Sequence, residues 1–242
     1  MHTGIKEKMF RVGFTQGDIN ARLTPGNVLR LAQQITLEHC DELGFGAAEL
    51  LSHNRAFVLA KLRIDVKHMP EEGDQVKLVT TAYAPKRLVY QRVTEIRTPE
   101  DEVLVSVDSR WTMIDTTTWR ITRDVEQGLV EKLLPVQDFA DIRMPNIEFT
   151  GEKPEVQVRY SMLDTNRHVN NAFYADWVQD ALADELMAGR QVRSMQLLYH
   201  REAKLGDVVK MKHVCADGVH YLRGEHDKGH CFDAIVELTE AE

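Results

Sequence analysis

The sequence predicts an α+β fold in which a long helix is wrapped by a curved antiparallel sheet, and it predicts this twice. Three observations carry the prediction. A helical stretch is followed by a run of alternating strands, the same order returns in the second half, and a Gly-Asp landmark marks the same place in both runs.

In the first half, "LTPGNVLRLAQQITLEHCDELGFG" reads as the helix, with Thr24 as N-cap, Pro25 at the first helical position and Gly44 just past the last turn. Val28, Leu31, Ala32, Ile35 and Leu43 share one face at helical spacing. The period then changes to two in "FVLAKLRIDVKHM", "QVKLVTTAYA", "RLVYQRVTEIRT" and "VLVSVDSRWTMID", which are separated by turn clusters. In the second half the helix is "HVNNAFYADWVQDALADEL" and the strands are "SMQLLYHREA", "DVVKMKHVCA", "VHYLRGEHD" and "CFDAIVELTE". Asp217-Gly218 and Lys228-Gly229 supply the hairpin turns. "EEGDQVKLV" matches "KLGDVVKMK", with Gly73 opposite Gly206 and Asp74 opposite Asp207 at an offset of 206 − 73 = 133. The second helix is apolar on more than one side (Val169, Phe173, Trp177, then Tyr174, Val178, Ala181), as a helix enclosed by a sheet must be. The predicted architecture is therefore a tandem hot-dog fold: residues 1–135 as the first copy, 136–155 as a Pro/Gly-bearing linker, and 156–242 as the second copy.

Composition narrows the function. Asp and Glu total 38 against 30 Lys and Arg, and a net charge of −8 disfavours broad nucleic-acid affinity. No stretch has the length of a membrane span or a signal peptide, so a cytoplasmic protein without membrane insertion is expected. Cys40, Cys215 and Cys231 form no CxxC pair and read as reduced, buried thiols. His213, His220, His226 and His230 lack the spacing of a metal motif, so neither a metal nor a cofactor is expected.

The chemistry concentrates in "SMLDTNRHVNNAFYADW", where Asp164, Asn166 and His168 precede the second helix. Asp, Thr and Asn there are good helix caps. The first copy, however, opens its helix with "RLTPGNVLRL" and needs no acid, histidine or paired asparagine there, so the second copy's additions are expected to be functional. Glu202 takes the place of Met69 in the twin, on what reads as a strand with Leu197, Leu198 and Tyr199.

With "LDTNRHVNNAFYADW" followed by "LLYHREA", the chain resembles the acyl-acyl carrier protein (acyl-ACP) thioesterases, of bacterial type. The resemblance also takes in "MPEEGDQV" and the strand "SRWTMID...WRITR" ending near Arg123, and it spans roughly residues 5 to 240. It implies two tandem hot-dog domains, hydrolysis of a fatty acyl thioester on acyl carrier protein, and a motif met here as Asp164, Asn166, His168 and Glu202. Ala203 stands where plant members commonly carry cysteine, and Arg167 where they usually carry Gln. A hot-dog hydrolase of coenzyme A thioesters and a non-catalytic acyl-binding protein are the alternatives.

Thioester hydrolysis needs an activated nucleophile and donors for the oxyanion. Glu202 as the base that activates water and Asp164 as a direct nucleophile both remain open. Asn166 and His168 orient the reactants, and the helix start at Asn170 and Asn171 is expected to bind substrate at the carbonyl. Chain-length selectivity is expected in the first copy, at Ala32 and Ile35. An acidic carrier protein needs local positive charge, for which Arg159, Arg167, Arg190, Arg193, Arg201 and Lys204 are the candidates, with the Lys86-Arg87 pair as a possible addition, on a monomer or homodimer.

Overall fold

A computed structural model of the chain describes residues 4–122, 127–138 and 140–240. They group into two units, one of Met1–Leu23, Arg30–Leu62 and Lys67–Asp141, the other of Thr24–Leu29, Arg63–Val66 and Ile142–Glu242. Each contains one long helix and an antiparallel sheet, as the sequence predicts.

The first unit contains β1 (Ile5–Arg11), α1 (Pro25–Glu42) from Arg30 on, α2 (Ala47–Ser52), β2 (Arg55–Val66) as far as Leu62, β3 (Gln75–Ala82), β4 (Val89–Arg97), β5 (Val103–Asp115), β6 (Arg120–Ile121) and α3 (Gln127–Val130). Its strands run in the order β1-β3-β4-β5-β2, with β6 on the end of β5. Thr24 caps α1 through Oγ1, which accepts the Asn27 N–H at 3.2 Å, and Gly44 closes the helix at φ +75°. The expected apolar face of α1 is buried, Ile35 completely. On this same buried face α1 is tied to the sheet by Arg92 of β4, which hydrogen-bonds His39 Nδ1 at 2.9 Å and donates to Thr80 Oγ1 at 3.0 Å.

The second unit contains β7 (Gly151–Gln157), α4 (Asn171–Ala181), α5 (Ala183–Met187), β8 (Val192–Tyr199), β9 (Val208–Ala216), β10 (Val219–His226) and β11 (Gly229–Leu238), with strand order β8-β11-β10-β9-β7. β11 is interior in this order, between β8 and β10, and is buried on both faces from Cys231 to Val236. Tyr174 and Trp177 of α4 pack against Phe232 of β11, with ring centroids 5.0 and 6.3 Å away.

Four expectations change. Each unit opens with a strand the sequence did not declare. β1 and β7 are edge strands with mostly exposed side chains, so neither carries an apolar alternation. β7 begins inside the segment read as linker, and it accommodates Pro154 because the register with β9 shifts between Lys153 and Val156. The second helix starts at Asn171 rather than His168 and breaks at Leu182. Arg123, where the first-copy strand was expected to end, lies outside the described residues. Finally, Cys215 is exposed and Cys40 half-buried, so only Cys231 is the buried thiol expected of all three.

Gly224 on β10 fixes the Phe232 ring in place. A Cβ at this position would lie 2.2 Å from Cε1 of Phe232 and 2.6 Å from Cδ1. Gly224→Ala is expected to cost about 1–3 kcal/mol through this overlap, a fall in Tm of roughly 2–4 °C per kcal/mol for a chain of this size. Gly128→Ala, with nothing within 4 Å, is the control and should melt like the parent. Equal melting of both variants would contradict the packing described.

Candidate active site

The polar stretch before α4 is folded as a tight turn. Asp164 Oδ1 accepts the Asn166 N–H at 2.8 Å, the Asp164 N–H donates to the His168 carbonyl at 2.9 Å, and the Arg167 N–H donates to the Asp164 carbonyl at 3.0 Å. Arg167 sits at φ +64° to close it. Asn170 then caps α4, its side-chain oxygen accepting the Ala172 N–H at 2.9 Å, and Asn171 is the first helical residue.

The first unit builds the same turn. Asp18 Oδ1 accepts the N–H groups of Asn20 at 2.8 Å and Arg22 at 3.0 Å, the Asp18 N–H donates to the Arg22 carbonyl at 2.8 Å, and Ala21 sits at φ +60°. Asp164 and Asn166 therefore correspond to Asp18 and Asn20, at an offset of 164 − 18 = 146. This corrects the expectation that the twin lacks the acid: a short carboxylate that accepts the N–H two residues on is what such a turn requires. What the twin lacks is His168, Asn170 and Glu202, whose counterparts are Arg22, Thr24 and Met69.

Glu202 is not on a strand. β8 ends at Tyr199, and the His200 and Arg201 N–H groups both donate to the Cys231 carbonyl, at 2.9 and 3.1 Å, which bends the chain away from the ladder. The next residues are gripped by their backbone. Ala203 is fully buried; its carbonyl accepts the Val169 N–H at 3.0 Å and its N–H donates to the Tyr174 hydroxyl at 3.3 Å. The Lys228 N–H donates to His226 Nδ1 at 3.1 Å, which leaves the proton on Nε2 to donate to the Glu202 carbonyl at 3.2 Å. The Tyr199 hydroxyl donates to the Asn171 carbonyl at 3.0 Å and fixes the helix start.

These contacts bring Glu202 beside His168. The glutamate's own backbone N–H holds its carboxyl below the usual carboxylate range, and His168 and Lys204, whose Nζ is 3.5 Å from Oε1, push the same way against partial burial. The side chain is half exposed, ionised and reachable by water.

Residues 5–133 match the acyl-ACP thioesterase N-terminal domain, and residues 148–235 its C-terminal domain. The chain belongs to the acyl-ACP thioesterase family. Among its relatives, an oleoyl-acyl carrier protein thioesterase of Arabidopsis thaliana is 25% identical over 228 residues, which cover 84% of this chain and 61% of the relative. A palmitoyl-acyl carrier protein thioesterase of Cuphea hookeriana is 27% identical over 173 residues, 66% of this chain and 41% of the relative. The chain thus spans between about two-fifths and three-fifths of these plant proteins. The fold is shared with an acyl-ACP thioesterase of Bacteroides thetaiotaomicron (TM-score 0.88, 21% identity, 98% of each chain). It is shared as well with the 12:0-ACP thioesterase of Umbellularia californica (TM-score 0.82, 18% identity, 99% of this chain and 98% of that one).

In this member of the family the candidates separate by position. Asp164, Asn166, His168, Asn170, Asn171 and Glu202 lie on the two loops joined by the Val169–Ala203 hydrogen bond and at the helix start. Ala32 and Ile35 are buried on α1. The six basic residues do not form one patch. Arg159, Arg167, Arg201 and Lys204 are exposed around the loops, whereas Arg190 and Arg193 flank the start of β8, roughly 25 Å of strand from its far end. Arg190 is also engaged, with Glu185 at 2.9 Å and the Thr239 carbonyl at 2.9 Å. Cys231, under the Glu202 loop, is no nucleophile: burial pushes its thiol up to about 11. Tyr174, Tyr199 and His226 are the supporting residues that sequence reasoning missed. Tyr174 was read only as apolar helix surface, and nothing in the spacing of His226 points to the Glu202 carbonyl.

Tyr174→Phe preserves the ring contacts and removes the acceptor for the buried Ala203 N–H. We expect a loss of about 1–3 kcal/mol in urea unfolding. An unchanged midpoint would mean that the hydroxyl does not hold this loop.

Proposed function

We propose that this protein hydrolyses the thioester of a fatty acyl chain carried on acyl carrier protein, releasing the free fatty acid. The observation that carries the reading is the Val169–Ala203 backbone hydrogen bond, which brings the loop of His168 against the loop of Glu202 before the N-terminus of α4, in a unit whose twin has the same turn but Met69 and Arg22 in those places. Glu202 takes a proton from water, and the water oxygen adds to the thioester carbonyl. The developing oxyanion is met by the positive end of α4 at Asn171, and collapse breaks the C–S bond, with the proton passing to the departing thiolate. His168 orients the water and the carboxylate. Asp164 keeps Oδ1 on the Asn166 N–H, so we assign both residues to positioning. Ala32 and Ile35, on the buried face of α1, are our chain-length positions. Arg159, Arg167, Arg201 and Lys204 are our docking surface for the acidic carrier. A cytoplasmic setting belongs to the same reading, supported by three free cysteines and by the finding that no described helix is long and apolar enough to cross a membrane.

The test is turnover on acyl-ACP, on the matching acyl-CoA and on a small acyl thioester. Glu202→Gln should lower kcat/KM on all three by at least about 100-fold with the fold intact. Because a base works only when deprotonated and Glu202 is held below the ordinary range, the acid limb of the parent's profile should lie below the usual glutamate range. Arg167→Glu with Arg201→Glu should raise KM for acyl-ACP and leave the small thioester unchanged. Parental rates in Glu202→Gln would sink the mechanism; equal losses on carrier and small substrates would sink the docking surface, and preference for the coenzyme A thioester would sink the carrier assignment.

A further inference from the structure

The second unit holds a cluster that the proposed reaction does not use. Asp233 of β11 is buried, with 3% of its side chain exposed, yet its carboxylate collects three donors. His200 Nε2 lies 3.2 Å from Oδ2, His230 Nε2 lies 3.0 Å from Oδ1, and Arg223 Nε donates to Oδ1 at 2.8 Å. The two imidazoles lie side by side, centroids 4.1 Å apart and tilted by 35°, and keep 40% and 32% of their side chains exposed. One ligand atom from each of His200, His230 and Asp233 can be chosen so that all lie within 4.8 Å of one another.

We propose that His200, His230 and Asp233 bind a divalent first-row transition ion of the zinc type. Two imidazole nitrogens and one carboxylate oxygen are a donor set for such an ion, which bonds them at about 2.0–2.2 Å. Ligands at that distance stand roughly 3.4 Å apart in a tetrahedral arrangement; the two imidazole nitrogens already stand 3.2 and 3.0 Å from the carboxylate oxygens, and the set lies within 4.8 Å, so side-chain rotation is enough to close it on an ion. The surroundings fit as well. Asp233 is fixed by burial, Arg223 orients it by donating to Oδ1 at 2.8 Å and Oδ2 at 3.5 Å and is itself held over the Phe149 ring at 5.0 Å, and the exposed imidazoles leave a path for the ion and room for water as a further ligand. Sequence spacing hid the set, because His200 and His230 belong to different strands' ends and meet only when β8 pairs with β11. An ion there would clamp the bulge at His200 and Arg201, immediately before Glu202, so its occupancy would stiffen the loop that carries the glutamate. Binding itself does not depend on the proposed hydrolysis.

The experiment is a titration of the EDTA-stripped full chain with Co²⁺, read by its visible ligand-field absorption, with Zn²⁺ added in competition and by its effect on Tm. The parent should take up one equivalent, which Zn²⁺ displaces and which raises Tm. His200→Ala and His230→Ala should each weaken binding by about tenfold or more, while His213→Ala, in the separate pair with His220 3.1 Å away, should bind as the parent does. The two histidine variants carry the test, because Asp233→Asn alters a buried charge and risks the fold. No stoichiometric uptake would reduce the cluster to a hydrogen-bonded one and overturn the proposal. So would parental binding in both variants, or loss of binding in His213→Ala.

Discussion

Everything in the second unit that bears on chemistry hangs from a set of backbone hydrogen bonds between the segment leading into the helix and the turn leading into a strand. The Val169 N–H donates to the Ala203 carbonyl, the Val158 N–H to the Asp207 carbonyl, and the Gly206 N–H to the Val158 carbonyl. The first unit makes the same three bonds, from Leu23 to Pro70, from Val12 to Asp74 and from Gly73 to Val12. Val12, Leu23, Val158 and Val169 are buried, so an unpaired N–H at any of them would cost about 1–3 kcal/mol. The clasp is closed by the Gly-Asp turn. Gly73 and Gly206 sit at φ +93° and +86°, and the carboxylates of Asp74 and Asp207 accept the N–H of Glu71 and Lys204, each at 2.9 Å.

Given that clasp, function is a matter of which side chains it brings together. In the first unit it places Arg22 near Met69; in the second it places His168 near Glu202, at the start of a helix whose N-terminus favours negative charge. A common scaffold thus carries a polar site in one copy only. Tyr174, Tyr199 and His226 hold that site through its backbone rather than through its reactive groups.

Much of this could be read from the chain. The α1 face from Val28 to Leu43, the strand Val103–Asp115 and the Gly-Asp landmark at an offset of 133 all emerge from periodicity and turn chemistry. That landmark places Glu202 opposite Met69, and the clasp preserves the correspondence. The shared Asp-x-Asn turn is out of step with that landmark, because it recurs at an offset of 146, not 133. The 13-residue difference arises between the clasp's two halves, where α1 has 18 residues and α4 has 11 and the intervening segments differ. Edge strands β1 and β7 are hidden by their charged sequences and mostly exposed side chains, and β7 by Pro154 as well. The His200, His230 and Asp233 cluster depends on strand pairing and a bulge, which no local pattern encodes.

The claim that the clasp positions the chemistry is tested most directly by opening its turn in both units. Asp74→Ala and Asp207→Ala each remove the carboxylate that closes the turn, and each should cost about 0.5–2 kcal/mol of stability, as for a lost cap. Hydrolysis measured on the same samples should be unchanged in Asp74→Ala and should fall at least about tenfold in Asp207→Ala, because Glu202 loses its place relative to His168. Parental hydrolysis in an Asp207→Ala protein that has lost the expected stability would contradict the account.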